Sequence, residues 1–253
     1  MDRRNFVKST LLSGSALAGV LPSENAAAMN SKKQQQWYEL RTYTFTSDDQ
    51  RQLTSAYLEQ TYVPALNREG HKNIGVFTEH QPQGQGKMFV LIPFDSIGSF
   101  AALNGKLPYD AAEAAHPAYE RIESSLLKAF LHMPQMEIPE KKDRLFELRC
   151  YESPSETAGQ KKIEMFNDAG EIDIFKKVGA RPVFFGETII GLRRPNLTYM
   201  LCFDNIEGHD TCWKAFGSDP EWKKISAIPE YSDARLISKI TRTFLSPTNY
   251  SQI

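Results

Sequence analysis

FELRCYES, residues 146–153, restates YELRTYTF, residues 38–45: aromatic-Glu-Leu-Arg-x-Tyr recurs at an offset of 108 positions (146 − 38). Each copy has the alternating, aromatic-rich composition of a β-strand. Working outward from the two, Ile74–Glu79 and Pro182–Glu187 read as second strands, again offset by 108 (187 − 79). Met88–Asp95 and Leu197–Asp204 read as third strands, offset by 109 (204 − 95), which places one inserted residue in the intervening hairpin of the second copy. Leu127–Leu131 and Ile240–Leu245 read as the closing strands.

Helical patterns fill the gaps. In the first copy Asp48 or Asp49 is expected to cap a helix presenting Leu53, Ala56, Tyr57, Val63 and Leu66, with Pro64 bending or splitting it and Gly70 ending it. Ile163, Phe166, Ile174, Phe175 and Val178, closed by Gly179, play that part in the second. Gln81–Gly86 and Gly191–Asn196 read as hairpin loops. Asp219-Pro220-Glu221-Trp222 predicts a helix start, with Asp at the N-cap and Pro where its missing N–H costs nothing. Each copy is thus strand, helix, strand, strand, helix, strand, an α+β plan of two tandem ferredoxin-like modules, residues 37–133 and 145–246, joined by a linker at 134–144.

Successive side chains on a strand face opposite ways. Tyr38, Leu40 and Thr42 share one face of the first strand, and Glu39, Arg41 and Tyr43 the other; Phe146, Leu148 and Cys150 oppose Glu147, Arg149 and Tyr151 in the second copy. If helices cover the more apolar face, the Glu-Arg-Tyr faces look into a shared interior, closed by packing the two sheets against each other. That makes Glu39, Arg41, Tyr43, Glu147, Arg149 and Tyr151 candidate ligand contacts, with Arg as anchor, Glu as base and Tyr as donor. The bland reading of the same residues is a self-satisfied Glu–Arg network that sets how the halves pack. Glu79 and Glu187, closing the second strands, join the list as carboxylates near a barrel mouth.

The chain's 253 residues, 41 % hydrophobic and 24 % charged with a net charge of −1, describe a globular protein without the basic field that nucleic acid demands. Residues 1–28 read as an export leader: Arg3-Arg4, a short weakly apolar run, then Ala26-Ala27-Ala28, the layout of a twin-arginine signal with a periplasmic destination. The apolar run is too short to span a membrane. Three cysteines without C-x-x-C spacing suggest small core residues, although Cys202 and Cys212 can pair if geometry allows. The five histidines show no metal-ligand spacing, so no metal and no cofactor is expected; a haem, which needs one histidine, is left open, with His71 and His80 flanking the second strand.

Tyr-Glu-Leu-Arg-x-Tyr at 38–43, Gly-Val-Phe-Thr-Glu at 75–79 and Asp-Pro-Glu-Trp at 219–222 together resemble the NIPSNAP family, over residues 37 to 246. The first copy departs from it, with His116-Pro117-Ala118-Tyr119 where the second has Asp-Pro-Glu-Trp. The resemblance implies the dimeric α+β barrel fold, here intramolecular, so that one chain builds a pseudo-dimeric barrel and further oligomerisation is open. It implies no single reaction: that superfamily spans cofactor-free monooxygenases, isomerases, haem binders and modules that only bind or dimerise. The leading expectation is a small organic ligand, anions among the candidates, held between the sheets. The alternatives are a cofactor-independent monooxygenase or isomerase, and a purely structural interaction module.

Overall fold

Both hexapeptides are strands, and each becomes the centre of its own half. The computed structural model describes residues 34–110, 112 and 115–253; the twin-arginine segment lies outside the described residues. The first half runs β1 (Trp37–Thr44), α1 (Asp48–Tyr57), a π-helical turn (Leu58–Tyr62), α2 (Val63–Arg68), β2 (Gly75–Glu79), β3 (Lys87–Phe94), α3 (Ile97–Ala101) and β4 (Arg121–Ala129). The second runs β5 (Leu145–Glu152), α4 (Glu156–Asn167), α5 (Glu171–Lys177), β6 (Arg181–Ile190), β7 (Asn196–Phe203), α6 (Ile206–Ser218), α7 (Pro220–Ser226), a 3₁₀ turn (Pro229–Tyr231), α8 (Asp233–Leu236) and β8 (Lys239–Pro247). The strands close into an antiparallel barrel in the order β1-β3-β2-β8-β5-β7-β6-β4, with β2 and β8 forming one seam and β4 and β6 the other.

Local signals set the helix ends. Ser47 and Ser155, 108 apart (155 − 47), are the N-caps of α1 and α4, each hydroxyl accepting from a backbone N–H three residues on. The cap is therefore Ser47, not Asp48 or Asp49, because the serine supplies the oxygen one residue before the first helical turn. Asp219 caps α7 as expected, accepting from Glu221 N and Trp222 N. Gly70 and Gly179 end their helices at φ of +93° and +87°, a region open to glycine at little cost.

The barrel reverses the expected assignment of faces. Tyr38, Phe77, Phe89, Leu127, Phe146, Phe184, Met200 and Leu245, one from each strand, form the interior core with Leu40 and Leu148. Tyr43 belongs instead to the layer between the first half's sheet and helices, and Tyr151 to that of the second. The Glu-Arg-Tyr faces therefore lie under the helices. Midway along a closed barrel an interior ion has no route to water, whereas an arginine beneath helices can run its stem outward between them.

The inserted residue also lies elsewhere than expected. Ladder pairing puts Pro182 opposite Leu201 and Phe184 opposite Met200, so the extra residue is Val183, in a bulge of β6 and not in the hairpin. Past that bulge the side chains swap faces relative to β2. Glu79 points to the barrel interior, while Glu187 turns outward and accepts from Gln160 Nε2 at 2.7 Å; Thr188 takes the position matching Glu79.

One end of the barrel is stoppered by the C-terminal residues. Thr248 N and Gln252 N donate to Val76 O and Ile74 O, and Ile253 is fully buried against the interior core. Gly75 is required there, since a Cβ would stand 2.5 Å from the Phe77 ring.

Candidate functional site

Glu39 and Arg41 meet as neighbours on one face of β1. Arg41 Nε donates to Glu39 Oε1 at 2.7 Å and Nη2 to Oε2 at 3.1 Å, a bidentate pair. The Ser124 hydroxyl of β4 adds a third bond to Glu39, at 2.7 Å. The guanidinium lies over the Tyr62 ring, 4.7 Å from its centroid, and Nη1 has no hydrogen-bond partner among the described residues. Burial works against the Arg41 charge, but Glu39 and Tyr62 outweigh it and hold the pKa above its ordinary value.

Above this pair the layer is open. A cleft of about 380 Å³ has Glu39 and Arg41 on its floor, with walls including Tyr57, Tyr62, Phe100, Leu103 and Leu107. Tyr62 is one of its walls, and the Tyr62 hydroxyl is buried with no hydrogen-bond partner among the described residues. Burial raises the Tyr62 phenol well above its usual range, so it stays protonated and able to donate at neutral pH. The Tyr57 hydroxyl donates to Pro108 O at 2.7 Å and ties the outer loop to the rim.

The π-helical turn explains why Tyr57 and Tyr62 share this cleft. Five residues apart on a regular helix, they would be turned about 140° from each other. The wider turn over Leu58–Tyr62 brings their rings to 5.6 Å between centroids. A period of 3.6 therefore could not have found the pair; Pro64, which removes a helical donor, is the sequence feature beside the irregularity. Leu53, expected on the buried face, is half exposed, and Leu58 and Tyr62 are buried in its stead.

The second half presents the same pair in a different setting. Arg149 Nη1 donates to Glu147 Oε1 at 3.0 Å, and Trp213 Nε1 of α6 donates to Oε2 at 2.9 Å. The Trp213 ring covers the Arg149 guanidinium at 4.4 Å. His209 Nε2 stands 3.4 Å from Glu147 Oε2, outside hydrogen-bond geometry. The Tyr151 and Tyr199 hydroxyls pair at 2.9 Å, and burial pushes Tyr151 up to about 12. Phe216 and Trp222 pack the rest of the layer. Glu147, with no exposed surface, is sealed.

Chain length in one helix produces the difference. Asn205 and Ser96, offset by 109 (205 − 96), cap α6 and α3, but α6 runs 13 residues and α3 only five. α3 stops at Ala101, and the chain beyond it is a turn that contains Gly105, at φ +72°, and then Pro108. The position of Trp213 falls to Asn104 (213 − 109), in a loop.

Of the eight residues expected to form a site, Glu39 and Arg41 line the cleft, and Tyr43 is buried beside it against Tyr119. Glu147, Arg149 and Tyr151 form the sealed counterpart, Glu79 lies at the barrel mouth, and Glu187 is on the outer face. Sequence reasoning missed Tyr62, the buried His209 (4 % exposed) and Lys162 (1 % exposed), whose ammonium stands 3.4 Å from Glu171. All three cysteines are free thiols, so Cys202 and Cys212 do not pair. Among the described residues no cluster of His, Cys, Asp and Glu is arranged to hold a metal, and no helix is long and apolar enough to cross a membrane.

An eight-stranded antiparallel barrel jacketed by helices is the fold of dimeric α+β barrel proteins. The solved structure of a proposed monooxygenase from Lactobacillus acidophilus matches with a TM-score of 0.57 at 10 % identity, over 85 % of this chain and 94 % of that one. An anthrone oxidase-like protein matches with a TM-score of 0.56 at 9 % identity, over 86 % and 93 %. Likeness at such identity is one of fold alone. Residues 146–252 match the NIPSNAP family model. A NIPSNAP family protein from Agrobacterium tumefaciens is 20 % identical over 44 % of this chain and 98 % of its own, with a TM-score of 0.39. No curated protein matches the chain.

Proposed function

We propose that this protein binds a small, flat organic molecule carrying an anionic or carbonyl oxygen, in the cleft between sheet and helices of the first half. The observation that carries this reading is a cleft of about 380 Å³ that has Arg41 on its floor and Tyr62 in its wall, beneath apolar residues, with the Arg41 Nη1 and the Tyr62 hydroxyl both unpartnered among the described residues. A few convergent polar groups in an otherwise apolar recess fix a ligand's orientation, and the buried donors are expensive to leave unmet. Arg41 anchors the ligand oxygen, Tyr62 donates to it, and Glu39 holds Arg41 in place. The three hydrogen bonds that Glu39 accepts favour this positioning role over that of a catalytic base, and so favour a binder over a cofactor-independent oxygenase or isomerase. In the same reading the first half is a second, diverged NIPSNAP-type module, and the Arg3-Arg4 leader takes the protein to the periplasm.

The test uses 1-anilinonaphthalene-8-sulfonate, an aromatic anion whose fluorescence rises in an apolar site. Saturable binding at one site is expected, weakened about tenfold or more in Arg41→Met and to a lesser degree in Tyr62→Phe. Unchanged affinity in both variants, with thermal unfolding showing them folded, would overturn the assignment. Oxygen uptake on addition of a bound ligand would shift the reading from binder to enzyme.

A further inference from the structure

The end of the barrel opposite Ile253 holds a second cavity, of about 130 Å³, which all eight strands reach through interior-facing side chains. Its floor is apolar, made by Leu40, Phe89, Leu127 and Leu148. One level higher the character changes. Thr42, Ser125, Thr241 and Thr243 present hydroxyls that make no hydrogen bond among the described residues. Across the mouth, Asn196 accepts from Thr188 and Thr198 and donates to the carbonyls of Leu192 and Arg193, which fixes the hairpin that brings Arg193 to the rim.

Charge completes the mouth. Glu79 and Lys87 face each other at the end of the β2–β3 ladder, one step beyond the Thr78–Met88 pair. Neither they nor Arg193 form an ion pair among the described residues. Glu123, at the same rim, reaches only Arg121 among the described residues, at 3.8 Å. In so small a space a bare anion meets Glu79 as well as the cations, and a bare cation meets Lys87 and Arg193. A molecule carrying both charges satisfies both sets.

We propose that the barrel mouth binds a compact zwitterion, an amino acid with a short aliphatic side chain. Its ammonium faces Glu79, its carboxylate faces Lys87 and Arg193, and its side chain enters toward Leu40, Phe89, Leu127 and Leu148. Hydroxyls around the wall complete the hydrogen bonding of both charged groups. The site shares no lining residue with the cleft of the first half.

L-Valine titrated into the whole protein by calorimetry is the test, against isobutyrate and isobutylamine, which each keep the branched side chain but only one charge. Saturable one-to-one binding of L-valine is expected, with each analogue, and each of Glu79→Gln and Lys87→Met, weaker by about tenfold or more. Both positions are partly exposed at a hairpin end, and a thermal melt confirms that the variants fold. Isobutyrate or isobutylamine binding as tightly as L-valine, or no saturable L-valine binding at millimolar concentration, overturns the proposal.

Discussion

Glu147 and Glu39 occupy matching positions on matching strands, each paired to the arginine two residues on, yet their surroundings differ. In the second half a tryptophan from a 13-residue helix donates to the carboxylate and covers the guanidinium. In the first, the helix stops after five residues, a serine serves the carboxylate, and the arginine side chain keeps 22 % of its surface exposed against 13 % for Arg149. A Glu–Arg pair beneath helices serves equally well as internal packing and as the floor of a recess. The lid decides which, and here it is the length of α3 against that of α6.

Removing each carboxylate in turn should show the largest difference between the halves. Glu147→Ala strands the largely buried Arg149 and the Trp213 N–H without their acceptor, and is expected to cost about 3–5 kcal/mol of stability. Glu39→Ala leaves Arg41 beside an open cleft and should cost about 1.5–3 kcal/mol. Urea unfolding of both variants measures the gap, and equal losses would mean that the first half is as sealed as the second.

Next in size, the lid can be exchanged. Trp213→Ala should open a second cleft, raising the number of 1-anilinonaphthalene-8-sulfonate sites from one to two while lowering stability by about 3 kcal/mol. Leu107→Trp should fill the first cleft from its wall and abolish binding with little change in melting temperature. If Trp213→Ala gains no site, the second half collapses around the loss and the openness of the first half has a cause other than α3.

The smallest effect concerns a buried pair found only in the second half. Lys162 lies 108 residues after Thr54 (162 − 54), and where Thr54 donates to Ala118 O, Lys162 faces Glu171 and Asp233. Burial pushes the Glu171 carboxyl up, against the pull of Lys162. Because its folded pKa is raised, the stability it contributes is fully present below its unfolded pKa of about 4.3 and is lost as pH rises through the folded value. Glu171→Gln should remove that slope, so stability relative to the parent rises from pH 4 toward neutrality by a fraction of the Glu147 effect. A flat difference across pH would place the ionised carboxylate comfortably in the fold.

Much of this architecture was legible in residue order. The recurrence of Glu-Leu-Arg, the strand periodicities and the Asp219-Pro220 helix start led to an α+β barrel. Candidate residues were legible as types: Glu39 and Arg41 do meet, as residues two apart on a strand must be able to. Their location was not. Alternation divides a strand into two faces but does not say which face a closed barrel turns inward, and here both faces are buried. Tyr62 escaped because a π-helical turn breaks the period by which helix faces are read, and Glu187 was misplaced because one bulged residue, Val183, turns the side chains beyond it over.

Sequence alone determined seven of the eight strand segments, where α7 begins, and that a Glu and an Arg stand together on β1 and β5, because propensity, capping and spacing act over a few residues; the fourth strand, expected at Leu127–Leu131, is Arg121–Ala129. Tertiary structure alone decided that those pairs lie beneath helices, that one is sealed by Trp213, and that the other floors a cleft. Those outcomes depend on closing eight strands into a ring and on how far a helix from a distant part of the chain extends across the sheet. No local pattern encodes either, because the contacts that settle them join residues far apart in the chain, 57 positions for Ala129 and Gly186 at the β4–β6 seam and 66 for Glu147 and Trp213.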